Sequence, residues 1–263
     1  MLPMPRRFLL AASLLCALAT CVCASPLNVL LITADDMGLQ LGCYGDKAID
    51  TPHLDQLARE GRVFDNAYVA QASCSPSRSA MFTGLYPHAN GQYGLLNAGV
   101  GFQLHEPLRR RTLPALLKRF GYRTGIIGKL HVGPEKSFPF DARLRVNTRI
   151  VAEVAEKAGE FMRDRPGGRE SRFFLMVNYS DPHVMGRSPQ PPKEAFPSQY
   201  RGVPAKPKKV GEVPPLPFQG IDDPREIKRT TEYYNACMRF DAGVGMLLEK
   251  HKGTSHTLFL EPS

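Results

Sequence analysis

A three-layer α/β sandwich, with a mostly parallel central sheet flanked by helices, is predicted by three observations. Short apolar runs alternate with segments whose apolar residues recur at helical spacing. The reactive polar residues follow those runs directly, as Asp35-Asp36, Lys129-Leu130-His131 and Asp181-Pro182-His183 do. The composition, 43% hydrophobic and 22% charged over 263 residues, is that of a globular chain long enough for one sizeable α/β domain.

The first stretch reads as a leader rather than as part of the fold. Arg6 and Arg7 form a basic start, residues 8–22 are apolar, and Val22-Cys23-Ala24 offers small residues for cleavage, so residues 1–24 are expected to be a secretory signal peptide. The apolar run is short for a membrane anchor, and no later segment reads as a membrane span. Cleavage would leave 32 basic residues against 25 acidic ones, a net charge of +7, and would remove Cys16, Cys21 and Cys23. With Cys43, Cys74 and Cys237 remaining, the chain is no disulfide scaffold. A basic exported chain suits an anionic substrate better than nucleic acid, although a soluble basic surface would look the same.

Residues 28–33 are a buried parallel strand that runs into Asp35 and Asp36. Residues 51–60 are a helix, with Thr51 as N-cap and Pro52 at its first position. A strand is expected over 62–69. A helix follows from Ser75 to Thr83, with Pro76 in its first turn and Gly84 as its stop. Another spans 112–120, and Gly121 ends it before a strand over 123–127 that stops at Gly128-Lys129. A helical pattern over 150–163 precedes a strand over 172–179, which leads into Asp181-Pro182-His183. Residues 188–218 are Pro-rich, basic and aperiodic, hence loop. Helical spacing returns over 224–250, and a last strand begins at 257. Carboxyl ends of strands in an open parallel sheet share one edge, where ligands bind, so three charged clusters from distant positions should converge there.

Two adjacent carboxylates such as Asp35-Asp36 suit a hard divalent cation, though a lone Asp-Asp pair is more often a solvated turn. The stretch Cys74-Ser75-Pro76-Ser77-Arg78, continuing to Thr83-Gly84, is far more specific. It resembles the sulfatase family, whose Cys-x-Pro-x-Arg signal directs oxidation of the cysteine to formylglycine. The likeness extends to Thr51-Pro52-His53-Leu54-Asp55, Thr124-Gly125-Ile126-Ile127-Gly128-Lys129, His131-Val132-Gly133-Pro134 and Asp181-Pro182-His183. His88-Ala89-Asn90-Gly91-Gln92-Tyr93-Gly94-Leu95 is similar to the branch of the family that removes N-sulfate from glucosamine in heparan-type glycans.

That resemblance implies an alkaline-phosphatase-like fold and a hydrolase of sulfuric esters or sulfamidates. It implies one Ca2+ per subunit with Asp35, Asp36 and oxidised Cys74 among its ligands. A hydrated aldehyde at position 74 would attack sulfur with one hydroxyl and expel sulfate by collapsing from the other, two easy steps in place of one hard one. Arg78, one helical turn on, would hold the nucleophile and metal cluster. Lys129 and His183 would bind sulfate and protonate the leaving group, and His131 would assist elimination. The implied partners are a sulfated glycan substrate and the formylglycine-generating enzyme, with no nucleic acid and no membrane span. A full-length form could pair as a homodimer. The implied compartment is the secretory pathway, ending in the lysosome in a eukaryote and in the periplasm or outside the cell in a bacterium.

The sequence departs from the family at its end. Sulfatases continue the last strand into Ser-Asp-Asn-Gly, whereas Glu261-Pro262-Ser263 stand here. Residues 25–263 are therefore expected to be the N-terminal part of a catalytic domain, without the second pair of metal ligands. Three alternatives stay open: an O-sulfatase on another glycan or an aryl sulfate, a phosphoryl-transfer relative, and a catalytically inactive product. Ser or Thr at position 74 would favour the second, and turnover of any sulfate ester would exclude the third.

Overall fold

The computed structural model describes residues 27–168, 171–184, 206–216, 220, 223–251 and 256–262. The expected leader, 1–24, and much of the Pro-rich stretch lie outside them. Five strands form one sheet: β1 (Asn28–Asp35), β2 (Arg123–Ile127), β3 (Ala142–Leu144), β4 (Phe173–Pro182) and β5 (His256–Pro262). Their order is β3-β2-β4-β1-β5, and every pairing is parallel. The helices are α1 (Pro52–Glu60), α2 (Cys74–Thr83), the single turn α3 (Pro87–Asn90), α4 (Leu113–Arg119), α5 (Val151–Arg163) and α6 (Pro224–His251).

Strand alternation divides the core in two. Leu30, Ile32 and Ala34 of β1 and Phe173, Leu175, Val177 and Tyr179 of β4 face one side, where Leu54 of α1, Val154 and Phe161 of α5 and Phe240 and Val244 of α6 cover them. Leu31, Ile126, Phe174 and Met176 point the other way, against Phe82 of α2 and the partly buried Leu113 and Leu117 of α4. Burying each such side chain fully is worth about 1.5–3 kcal/mol, so the two apolar faces specify the three layers. The strands are near-continuous apolar runs because both faces are covered.

The differences from expectation have identifiable causes. Residues 62–69 form no strand: among the described residues no strand pairs with them, and Phe64 and Tyr68 are exposed. Apolar β-branched and aromatic composition makes a strand only where a neighbour completes the ladder. Thr51 does not cap α1 through its side chain. Its hydroxyl accepts from Gly42 N (2.9 Å) and donates to Asp55 (3.1 Å), while Asp241 of α6 accepts from the amides of His53 (3.1 Å) and Leu54 (2.8 Å). The cap therefore comes from 187 residues away. Strand β3, only three residues long, carries too little pattern to be read from sequence.

Candidate active site

β1 and β4 are neighbours, and β2 lies on the other side of β4. Their carboxyl ends bring Asp35-Asp36, Asp181-Pro182-His183 and Gly128-Lys129 to one edge. Helix α2 starts at this edge with Cys74, a half-buried free thiol. Ligand atoms of Asp35, Cys74 and His183 all lie within 4.8 Å of one another. Asp36 reaches this group through His183, its Oδ2 3.6 Å from the ring Nε2.

Asp35 is 97% buried, since 3% of its surface is accessible. Its Oδ2 accepts from the Lys129 ammonium at 2.7 Å, and its Oδ1 has no hydrogen-bond partner, with Arg78 Nη2 4.0 Å away. A buried carboxylate oxygen left in this state fits a cation. Asp36 is held at φ 62°, and burial pushes its carboxyl above the usual range while His183 pulls it down. Another left-handed residue, His131, has φ 55°. Such conformations cost about 1–3 kcal/mol in a non-glycine residue and collect where surrounding structure imposes them.

Arg78 follows Cys74 by four residues and is fully buried. Its Nη1 donates to the Lys129 carbonyl at 2.9 Å and to Asn178 Oδ1 at 2.8 Å. The guanidinium thus fastens the head of α2 to the ends of β2 and β4, next to Asp35. Asn178 also accepts from Thr33 (2.8 Å) and donates to the Ile127 carbonyl (2.9 Å), which leaves its amide no room for a glycan on the Asn178-Tyr179-Ser180 sequon. Gly128 has φ 83°, and a Cβ there would stand 2.3 Å from the Asn178 carbonyl oxygen. Only glycine lets the chain turn there and present Lys129 to Asp35.

His183 is oriented by its own backbone. Its Nδ1 meets the Val184 carbonyl, which can only accept, so Nδ1 carries the proton and Nε2 faces the cluster. The His183 carbonyl accepts from Arg149 Nη2 at 2.6 Å. Asp181, fully buried, accepts from Arg149 (2.5 Å) and from Arg239 of α6 (2.6 and 2.8 Å). Burial lowers the basicity of His131, and the cations Lys129 and Arg78 lower it further. Its Nε2 lies 3.4 Å from Asn97 Oδ1. Beside His131 opens a cavity of about 340 Å3 walled by Leu96, Phe102, Leu130 and Pro134, with Glu135 and Arg143 also lining it.

The residues singled out in the sequence, Asp35, Asp36, Cys74, Arg78, Lys129, His131 and His183, therefore gather at one sheet edge. Sequence reading marked Asp181 only as part of a charged cluster after a strand, and it missed Asn178, Arg149 and Arg239, which with Asp181 hold the site residues in place. It also missed the brace behind α2, where buried Asn90 bonds Ser79 (2.9 Å) and Leu85 O (3.0 Å), and Gln92 bonds Gly94 O (2.8 Å) and Phe102 O (3.0 Å). Polar residues at otherwise apolar strand and helix positions were the available signal.

A family profile described as Sulfatase matches residues 27–258. The chain belongs to the sulfatase family. It is 37% identical over 246 residues to human N-sulphoglucosamine sulphohydrolase, spanning 86% of this chain and 47% of that protein. It is 28% identical over 240 residues to mouse iduronate 2-sulfatase, spanning 76% of this chain and 43% of that protein. Among solved structures, Ps i-CgsB in complex with k-i-k-neocarrahexaose superposes with a TM-score of 0.60 at 25% identity, over 86% of this chain and 55% of that one. This sulfatase chain thus spans about half the length of the curated relatives it matches. No helix among its described residues is long and apolar enough to cross a membrane.

Proposed function

We propose that this chain carries the nucleophile side of an active site that hydrolyses sulfuric esters or sulfamidates, with N-sulfated glucosamine of heparan-type glycans as its substrate. The observation that carries the reading is Cys74 at the head of α2, its sulfur within 4.8 Å of Asp35 and His183. The 37% identity to a sulphohydrolase of N-sulphoglucosamine over 86% of the chain supports the substrate.

Asp35 and Asp36, with residue 74, would hold Ca2+, and formylglycine made from Cys74 would supply an activated hydroxyl as nucleophile. The chain's own residues divide the remaining work. Arg78 fixes the head of α2 against β2 and β4, so position 74 stays aimed at the sheet edge. Lys129, already at the edge, offers its ammonium to a sulfate oxygen. His183, its Nδ1–H held by its own backbone, would protonate the departing nitrogen or oxygen from Nε2 once the ring has taken up a second proton there. His131, disposed to stay neutral, accepts a proton as sulfate is expelled. The cavity beside it would take the sugar, and Arg143 suits an acidic neighbouring unit.

The reading extends to the cell. Residues 1–24 would direct the chain into the secretory pathway, where the formylglycine-generating enzyme would meet Cys74. The protein would then reside in the lysosome in a eukaryote, or in the periplasm or outside the cell in a bacterium, and a full-length form would pair as a homodimer. Expression beside the modifying enzyme tests this. Mass spectrometry with an aldehyde-reactive probe should find the residue 74 peptide partly as aldehyde; a thiol at full occupancy would sink the reading. Sulfate should be released faster from N-sulfoglucosamine than from glucosamine 6-sulfate. The reverse order would favour the O-sulfatase reading, for which the likeness to iduronate 2-sulfatase speaks. Aldehyde without turnover would make the chain an inactive product.

A further inference from the structure

We propose that, while residue 74 is still a cysteine, Asp35, Cys74 and His183 form a binding site for Zn2+ or another borderline-soft divalent ion. The donors are one carboxylate oxygen, one sulfur and one imidazole nitrogen, all within 4.8 Å of one another. A tetrahedral ion with bonds of about 2.0–2.3 Å holds its ligand atoms roughly 3.3–3.8 Å apart, so the widest pair must close by about 1 Å, which side-chain rotation provides. Three protein ligands leave a fourth position for water.

Each donor is prepared for this. The Nδ1–H of His183 is engaged by the Val184 carbonyl, which leaves the Nε2 lone pair directed at the cluster. A backbone carbonyl on the far nitrogen is the arrangement that orients metal-bound histidines. The turn itself is held by His183 N on Ser180 O (2.9 Å) and by Arg149 on the His183 carbonyl (2.6 Å). Asp35 keeps Oδ1 buried and without a hydrogen-bond partner while Lys129 occupies Oδ2. Cys74 opens a ten-residue helix, which sets its sulfur at the sheet edge beside Asp35 and His183.

The charges match. Thiolate and Asp35 bring two negative charges to one divalent ion, and Asp36 offsets the nearby ammonium of Lys129. That ammonium opposes an ion at Oδ2, but Oδ1 remains available. Sulfur with imidazole selects zinc-like ions over Ca2+, which takes oxygen ligands. The chemical state of residue 74 therefore decides which class of cation the site accepts, and zinc on the thiol would block any modification that needs it free. The proposal concerns the thiol form and stands apart from the sulfatase activity: no substrate is needed to test it.

The full chain is made where Cys74 stays a thiol, confirmed by peptide mass, and titrated with Co2+ as a spectroscopic stand-in for Zn2+. A thiolate-to-cobalt charge-transfer band should rise to one ion per chain, should be bleached by Zn2+ and should resist equal Ca2+. Cys74→Ser and His183→Gln should each weaken affinity by at least about tenfold, the scale on which even an outer-shell partner matters. Cys43→Ser should leave the spectrum unchanged. A band that survives Cys74→Ser, or that equimolar Ca2+ abolishes, would overturn the proposal. Should Cys74→Ser fail to fold, the unaltered chain still decides: stoichiometric Zn2+ should slow alkylation of Cys74 at least about tenfold, and an unchanged rate overturns the assignment.

Discussion

Arg78 Nη1 lies 2.8 Å from Asn178 Oδ1, and through this bond the helix that begins with Cys74 is fixed to the strand that leads to His183. Asn178 serves four elements at once, because Thr33 of β1 donates to the same oxygen and its amide nitrogen donates to Ile127 of β2.

Asn178→Ala should therefore be among the most damaging single changes. It removes one acceptor of a fully buried guanidinium and leaves the Ile127 carbonyl without this donor. Losing a hydrogen bond to a buried charge costs about 1.5–3 kcal/mol. Urea unfolding should show a lower midpoint with an unchanged slope. An Asn178 peptide from secreted protein should be free of glycan; an occupied sequon would contradict its burial.

Asp181→Asn should destabilise the chain by about 3–5 kcal/mol, since Arg149 and Arg239 would then lack their shared carboxylate in a dry site. Because Arg149 also holds the His183 carbonyl, the change should alter the His183 imidazole resonances in carbon-labelled protein. Normal stability together with an unmoved His183 spectrum would refute the role assigned to this cluster.

The pH dependence of His131 has a definite sign. Its protonation midpoint lies below the ordinary 6.5 because burial and neighbouring cations disfavour the charged ring. As pH falls below about 6.5 the unfolded chain takes up this proton before the folded one does. The stability that His131 contributes is present above that pH and is lost as pH falls toward its folded midpoint. Stability curves of the wild type and His131→Gln should differ over that window, with the wild type losing more. An NMR titration placing His131 at or above 6.5 would reverse the argument.

The cysteines should separate by reactivity. Cys237 is fully buried in α6, and burial pushes its thiol up to about 12. At pH 8 it should stay unmodified by iodoacetamide in folded protein, whereas half-buried Cys74 should react. Equal labelling of the two would show that Ile49 and Val213, which share a buried cluster with Cys237, do not shield it.

The sequence by itself determined the layers and which reactive residues follow the strands toward one sheet edge. Apolar runs such as 29–34 and 173–177 could only be strands covered on both faces, and the helical spacings supplied the covers. The stretch from Cys74 to Arg78 was legible through its resemblance to the sulfatase family, and Asp35, Lys129, His131 and His183 stood out because they follow the expected strands and match that family's pattern. Only the tertiary structure decided how those residues are held. Asp241 caps α1 and Arg239 grips Asp181 across separations of 187 and 58 residues, and no local pattern marks such partners. The same limit explains residues 62–69, whose composition favours a strand but whose backbone has no ladder to join. Local propensity is written in neighbouring side chains, whereas pairing of buried charges and of strand edges depends on what the folded chain brings alongside.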